Sequence, residues 1–197
     1  MPENWDQHAE GWDQDAQVRS YSDKALSSLF NHVDVRKDIW RTRRVLDFGC
    51  GTGLLTEKLS PLVKEVVSVD TSEKMIQALK GKALGNVTAV CADLNDETVR
   101  RSASWFSGFH LIVASSVCSF LPDYESTVDV LSRALVPDGR FVQWDWLSSD
   151  GGDFGLTESR VANALTLANL RDVRVEQAFS FQADDQNMAV LIGLGAA

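Results

Sequence analysis

The nine residues VLDFGCGTG at 45–53 constrain this chain more than any other part of its sequence. A short apolar run ends in Gly49, Gly51 and Gly53, and an apolar helical pattern starts at Leu54. Glycine adopts backbone conformations that side chains forbid, so this spacing lets the chain turn sharply and brings bare backbone close to a ligand. Strand, glycine turn and helix in that order belong to open parallel sheets, where ligands bind outside the carboxyl ends of the strands. By itself the turn fits a tight strand-to-helix connection as well as a nucleoside site.

From residue 43 onward, apolar runs alternate with helical patterns, the signature of a parallel α/β sheet. Strands are predicted at 43–48 (RRVLDF), 65–69 (EVVSV), 87–91 (VTAVC), 109–114 (FHLIVA) and 140–146 (RFVQWDW). The valine content of the second suits a buried parallel strand. Helices are predicted at 54–62, behind Ser72 as an N-cap, at 124–135 with 137–139 ending it, and at 157–169. Segments 173–181 and 188–194 leave no room for a helix between them, so they form an antiparallel hairpin. The expected fold is α/β, a seven-stranded and mostly parallel sheet with a C-terminal antiparallel hairpin and helices on both faces. Residues 1–197 are expected to form a single domain. Within it, 1–40 carry Trp5, Trp12, Tyr21, Phe30 and Trp40 among polar residues and read as a helical lid of one or two helices over the sheet.

A net charge of −9 repels phosphate backbones, which excludes nucleic acid as the default partner. The basic residues at 36–44 and 100–101 read as solvated faces. Cys50, Cys91 and Cys118 form no CxxC pair, and Cys91 and Cys118 read as small buried hydrophobes, which fits a reducing cytoplasm. The polar, acidic start lacks the pattern of a secretory signal, and no apolar run approaches the ~20 residues of a membrane span. There is no internal repeat, and the expected location is cytoplasmic.

Asp70 ends the second predicted strand, 17 residues after Gly53. A carboxylate there accepts hydrogen bonds from both ribose hydroxyls of an adenosine, and capping the following helix is its alternative role. Asp93 ends the third strand, where a carboxylate accepts from an adenine amino group. The alternative there is a turn acid. A glycine turn, an acid and an acid on three successive strand ends are jointly far more specific than any one of them.

On these residues the chain resembles the class I S-adenosylmethionine-dependent methyltransferases. The resemblance lies in VLDFGCGTG, VVSVDTSEKM, VCADL and LVPDGRFV and covers 41–197. It implies a Rossmann-like core at 41–197, S-adenosylmethionine as cofactor and S-adenosylhomocysteine as product. It further implies that Asp47, Gly49, Gly51 and Gly53 hold the methionine part of the cofactor and Asp70 its ribose. Thr71 and Met75 would lie beside the adenine, Asp93 and Leu94 at its edge, and Ser115 near the sulfonium. Met75 also fits a core position on its helix face. Two positions depart from the family pattern. His110 stands where the family often has an acid. Val117, Cys118, Ser119 and Phe120 stand where many small-molecule members carry a histidine. A mechanism that relies on that histidine does not carry over, so no catalytic residue is assigned.

Methyl transfer from a sulfonium releases a neutral thioether, so alignment does much of the work; positioning contributes about 7–11 kcal/mol in favourable intramolecular cases. A base is needed only when the acceptor must lose a proton. His8 and Asp145 are the candidates for that role, whereas His32 reads as a surface residue and His110 as a structural one. The histidines, cysteines and acids lack metal-ligand spacing, so no metal is expected. Trp12 and Tyr21 are candidates to cover the cofactor and the acceptor. Phe120, Trp144 and Trp146 are candidates to line an acceptor pocket, because aromatic walls suit apolar or cationic groups. Core packing is the competing role for both tryptophans. The glycine-rich loop 147–156 reads as a flap. With no sizeable insertion to hold a macromolecule, the expected function is methyl transfer to a small-molecule acceptor. A non-catalytic S-adenosylmethionine-binding module remains open. A nicotinamide-dependent oxidoreductase is disfavoured, because its Gly-x-Gly-x-x-Gly fingerprint sets the third glycine one residue later. The sequence carries no signal for an oligomeric state.

Overall fold

The computed structural model describes residues 4–148, 154–183 and 186–197, so 149–153 of the expected flap lie outside the described residues. The chain divides into two compact units, with the boundary between Trp105 and Phe106.

The first unit opens with two 3-10 turns, Trp5–Gln7 and Trp12–Gln14, followed by helix α1, Ala16–His32. The Asp15 carboxylate starts α1 by accepting from Gln17 N at 2.7 Å and Val18 N at 3.2 Å. These are amides that a helix cannot satisfy internally. A 3-10 turn at Asp38–Thr42 leads into β1 (Arg44–Phe48), α2 (Leu54–Leu59), β2 (Glu65–Asp70), α3 (Glu73–Gly81), β3 (Val87–Cys91) and α4 (Glu97–Ser102). β1 pairs with β2 and β2 with β3, all parallel. Val45, Leu46, Val66, Val67 and Val69 are buried, as continuous apolar runs in parallel strands require. β3 is the outer strand and is less buried than the other two. Cys91 is therefore exposed rather than buried, which corrects the expectation for that residue. Helix α4 was not foreseen, because six residues are too few to show a hydrophobic period.

The second unit contains β4 (Phe109–Ser115), a 3-10 turn at Cys118–Phe120, α5 (Tyr124–Ser132), β5 (Leu135–Trp146), α6 (Glu158–Leu167), β6 (Arg171–Ala183) and β7 (Gln186–Ala196). β4 and β5 are parallel, and β7 runs antiparallel to both β5 and β6. α5 packs on α6, and α6 packs on β6 and β7. Residues 137–139 do not end α5 as expected, because they lie inside β5. Asp138 takes a φ of 63° there, and the register with β4 shifts between Phe109 and Leu111. This irregularity lets the strand absorb a Pro-Asp-Gly sequence. Across the sheet the order is β3-β2-β1-β4-β5-β7-β6. This is the mostly parallel, seven-stranded arrangement with a closing antiparallel hairpin that the pattern of the chain predicts. Among the described residues, no helix is long and apolar enough to cross a membrane.

Candidate functional site

The glycine turn follows β1 directly. Gly49, Gly51 and Gly53 all have positive φ, at 67°, 54° and 83°, which glycine alone adopts without strain. Gly49 N and Cys50 N both donate to Val69 O, at 2.8 and 3.0 Å, and bind the turn to the end of β2. Gly53 has a second reason to be glycine, since a Cβ there would stand 2.3 Å from Leu79 Cδ1. At Gly51 the same atom would meet only Trp12 Nε1 at 3.9 Å and Met75 Sδ at 4.0 Å, so the turn offers bare backbone with space above it.

Asp70 is the last residue of β2 and fastens this turn. Its Oδ2 accepts from Gly51 N at 2.8 Å and its Oδ1 from Ser72 N at 2.9 Å. Burial pushes the Asp70 carboxyl above its ordinary range, and the bonds from Ser72 and Gly51 counter that effect. A carboxylate oxygen can accept more than one hydrogen bond, so the group can also take a ligand hydroxyl. Asp47 lies deeper. It is 1% exposed, and its carboxylate accepts from Thr56 Oγ1 at 2.5 Å, which in turn lies 2.7 Å from Ser68 Oγ. Burial raises the Asp47 pKa to about 6. Asp93 is exposed and accepts from Asn95 N at 2.8 Å, so it forms a local turn. Thr71 is exposed, whereas Leu94 and Met75 are buried.

The segment 4–15 meets this region through two acids. Asp6 Oδ1 accepts from Ser72 Oγ at 2.5 Å and Lys74 N at 3.2 Å, at the start of α3. Asp13 accepts from Thr52 Oγ1 within the glycine turn and pairs with Lys82 Nζ at 2.8 Å. Trp5, His8 and Trp12 form a ring cluster with centroids 5.6 to 6.4 Å apart. His8 is exposed in that cluster, and Tyr21 is buried on α1. The sequence reasoning missed Asp6, Asp13, Thr52 and Lys82. The available signal was the tripeptide Trp-Asp-Gln, which occurs at 5–7 and again at 12–14 and folds as a 3-10 turn both times.

In the second unit, Asp145 lies on β5 and is fully buried. Its carboxylate accepts from Ser119 N at 3.0 Å and Gln143 Nε2 at 3.1 Å, while Gln143 Oε1 accepts from Tyr124 Oη at 2.7 Å. Burial raises the Asp145 pKa to about 7, with the bonds from Ser119, Cys118 and Gln143 opposing it. Asp145 thus holds the turn after β4 in place. Ser115 is the last residue of β4, next to Ser116, which takes a φ of 56° and donates from its amide to Trp144 O at 2.7 Å.

The aromatic candidates separate. Trp144 is fully buried in the core. Trp146 lies tilted at 6.3 Å from Phe154 and 5.8 Å from Phe181, and Phe120 lies 6.2 Å from Phe154. Trp146 and Phe154 line a cavity of about 780 Å³ together with Glu158, Asn187 and Met188. That volume lies within the ordinary range of small-molecule sites. Phe154 and Met188 were not foreseen, because lone apolar residues in a loop and a hairpin carry no periodic signal. Among the described residues, no cluster of three histidines, cysteines or acids is placed to hold a metal ion.

Comparison with known proteins agrees with the fold. Residues 46–141 match the family model for a methyltransferase domain. An uncharacterized methyltransferase of Schizosaccharomyces pombe is 29% identical over 55% of this chain and 40% of its own length. The malonyl-[acyl-carrier protein] O-methyltransferase of Bacillus anthracis is 28% identical over 66% of this chain and 46% of its own. The chain therefore spans less than half the length of either curated relative. The structure of the N-methyltransferase NodS from Bradyrhizobium japonicum with S-adenosyl-l-homocysteine superimposes with a TM-score of 0.71, covering 98% of both chains at 20% identity.

Proposed function

Because this chain belongs to the class I S-adenosylmethionine-dependent methyltransferases, we propose that it binds S-adenosylmethionine at the glycine turn and transfers the methyl group to a small-molecule acceptor. The observation that carries this reading is the Asp70 carboxylate, held at the end of β2 by Gly51 N and Ser72 N. It combines a fixed negative group with bare glycine backbone, which is the chemistry that a ribose beside an amino-acid moiety requires. The fit is favourable at Gly51, where a Cβ would fill the open space under Trp12. When bound, the cofactor supplies an electrophilic methyl whose leaving group is a neutral thioether.

The remaining work belongs to the protein. Glycine backbone and Asp70 orient, and Asp47, buried against Thr56, supports β1 from below the turn. The cavity beside Trp146 is the acceptor site in this reading; it is open to solvent, and the aromatic faces of Trp146 and Phe154 on its wall favour an apolar or cationic group. Asp145 is a positioning residue, because its carboxylate is engaged by Ser119 N and Gln143. His8 is exposed beside two indoles and remains the candidate base for an acceptor that must lose a proton. The Bacillus anthracis relative is an O-methyltransferase and NodS an N-methyltransferase by name, so an oxygen or a nitrogen acceptor suits this reading. Its three free thiols support a cytoplasmic setting.

Calorimetry with S-adenosylmethionine, S-adenosylhomocysteine and a nicotinamide dinucleotide tests the cofactor assignment. Binding of the first two alone is expected, and binding of the dinucleotide alone would overturn it. Incubation with methyl-labelled S-adenosylmethionine and a panel of small amines, phenols and carboxylic acids tests the transfer. Label appearing only in protein or nucleic acid would overturn the small-molecule reading.

A further inference from the structure

We propose that residues 4–15 form a latched strap over the glycine turn, and that Asp13 and Trp12 set how long the cofactor stays bound. The proposal rests on the cofactor assignment above and adds the device that governs exchange at that site. The two Trp-Asp-Gln turns divide the labour in the same way. The tryptophans face inward to the ring cluster with His8, which gives the strap internal stiffness. The aspartates reach out and fasten it at two points. Asp6 takes Ser72 Oγ and Lys74 N at the start of α3. Asp13 takes Thr52 Oγ1, inside the turn itself, and Lys82 Nζ.

Lys82 is the anchor of the second latch. Its side chain is 16% exposed and lies between Asp13 and Glu57, at 2.8 and 3.0 Å. Burial works against its charge, but the hydrogen bonds it donates to the two carboxylates more than compensate and raise its pKa. The cation is thus kept charged within a partly buried setting, where ion pairs are screened less than on an open surface. Trp12 stands directly beside the latch, with its indole nitrogen 3.9 Å from the point where a Gly51 side chain would begin. A ligand that uses the Gly51 backbone lies under Trp12, and it leaves only when the strap lifts. Lifting the strap breaks the Asp13 contacts, so the latch enters the dissociation rate.

The test compares the full chain with Asp13→Ala and Lys82→Met, which break the same latch from opposite ends. Amide hydrogen exchange over 4–15 is measured without ligand, and dissociation of S-adenosylhomocysteine is followed by stopped-flow displacement. Both variants are expected to speed exchange of the strap. Both are also expected to raise the dissociation rate about tenfold, the scale of one charge-assisted hydrogen bond, and the double variant is expected to add little. Thermal unfolding confirms that each variant is folded, and Asp6→Asn supplies an independent break at the other end of the strap. Unchanged exchange in all variants would overturn the latch. Faster exchange with unchanged dissociation would overturn its link to the cofactor. If the unaltered protein binds no S-adenosylhomocysteine, the cofactor assignment itself fails, and exchange still decides whether the strap is latched.

Discussion

The two units each bury one carboxylate in a strand, and they use it differently. Asp47 in β1 meets a hydroxyl chain, Thr56 and Ser68, from elements of its own unit that lie under the glycine turn. Asp145 in β5 meets a backbone amide, Ser119 N, and a side-chain amide, Gln143, and so fixes the turn after β4. Among the described residues neither forms an ion pair, and in both cases burial is the leading cause of a raised pKa. The first unit keeps its ligand-facing polarity in backbone amides and in Asp70, at the strand end. The second presents aromatic faces, with its acid withdrawn behind them. In the proposed function, the first unit holds the nucleoside and the second supplies the acceptor cavity.

The largest expected effect separates the two buried acids by pH. A carboxyl whose folded pKa exceeds its unfolded value binds its proton more tightly when folded. Its contribution to stability is full below the unfolded pKa and is lost as pH rises through the folded one. The window for Asp47 closes near its folded value of about 6, and that for Asp145 near about 7. Chemical denaturation from pH 4 to 8 should therefore show Asp47→Asn and Asp145→Asn gaining on the unaltered protein as pH rises. The gain is at most about 1.4 kcal/mol per pH unit for each acid. It levels off above pH 6 for the first and above pH 7 for the second. Curves that stay parallel to the unaltered protein would show that these acids are not held protonated by burial.

Next in size is Asp70→Ala. It removes a charged acceptor from Gly51 N and Ser72 N and, in the proposed complex, from the ribose. Loss of a hydrogen bond to a charged group costs about 1.5–3 kcal/mol. Affinity for S-adenosylmethionine should fall by at least tenfold in calorimetry, with a smaller effect on folding. Unchanged affinity would remove the first unit's claim to the cofactor. Trp146→Ala is the matching test in the second unit. It opens one wall of the cavity beside Phe154 and Met188, and should raise the KM for an identified acceptor several-fold while leaving cofactor affinity unchanged. The reverse pattern would exchange the proposed roles of the two units.

The units also differ in how far the sequence reveals them. The glycine turn is legible because positive φ at 49, 51 and 53 permits one residue type, so the conformation is written in the composition. Asp70 is legible because a parallel strand of known start has a countable end. Buried valines mark β1 and β2 for the same reason. In the second unit a tryptophan on a strand reads alike as core or as cavity wall. Trp144 proved to be core, with Trp146 on the cavity, although the two are separated by a single residue. Asp145, near a strand end in the sequence, lies fully inside because its neighbours Gln143 and Ser119 supply donors that no periodicity announces. The strap was legible only as an aromatic-rich start. Its acids find partners 39 and 66 residues away, in Thr52 and Ser72. Pairings at such separations follow from the tertiary fold rather than from local pattern.

Asp93 provides the finest test of the contrast, because it belongs to the first unit and yet lacks that unit's defining feature. Asp70 is held by two amides from different segments, so its position is determined whether or not a ligand is bound. Asp93 is exposed on the outer strand's side, and its one fixed bond is to Asn95 N, two residues ahead. A carboxylate engaged only with its own turn is free to rotate, and water competes for every bond it offers a ligand. Its expected contribution is that of an exposed contact, a few tenths of a kcal/mol to about 1. Asp93→Ala should therefore weaken S-adenosylmethionine binding by less than about fivefold, and Asp93→Asn by less still, both measured against Asp70→Ala in the same titration. A loss equal to that of Asp70→Ala would mean that the adenine edge is gripped as firmly as the ribose. Recognition would then extend to the outer strand instead of being concentrated where backbone and acid lock together.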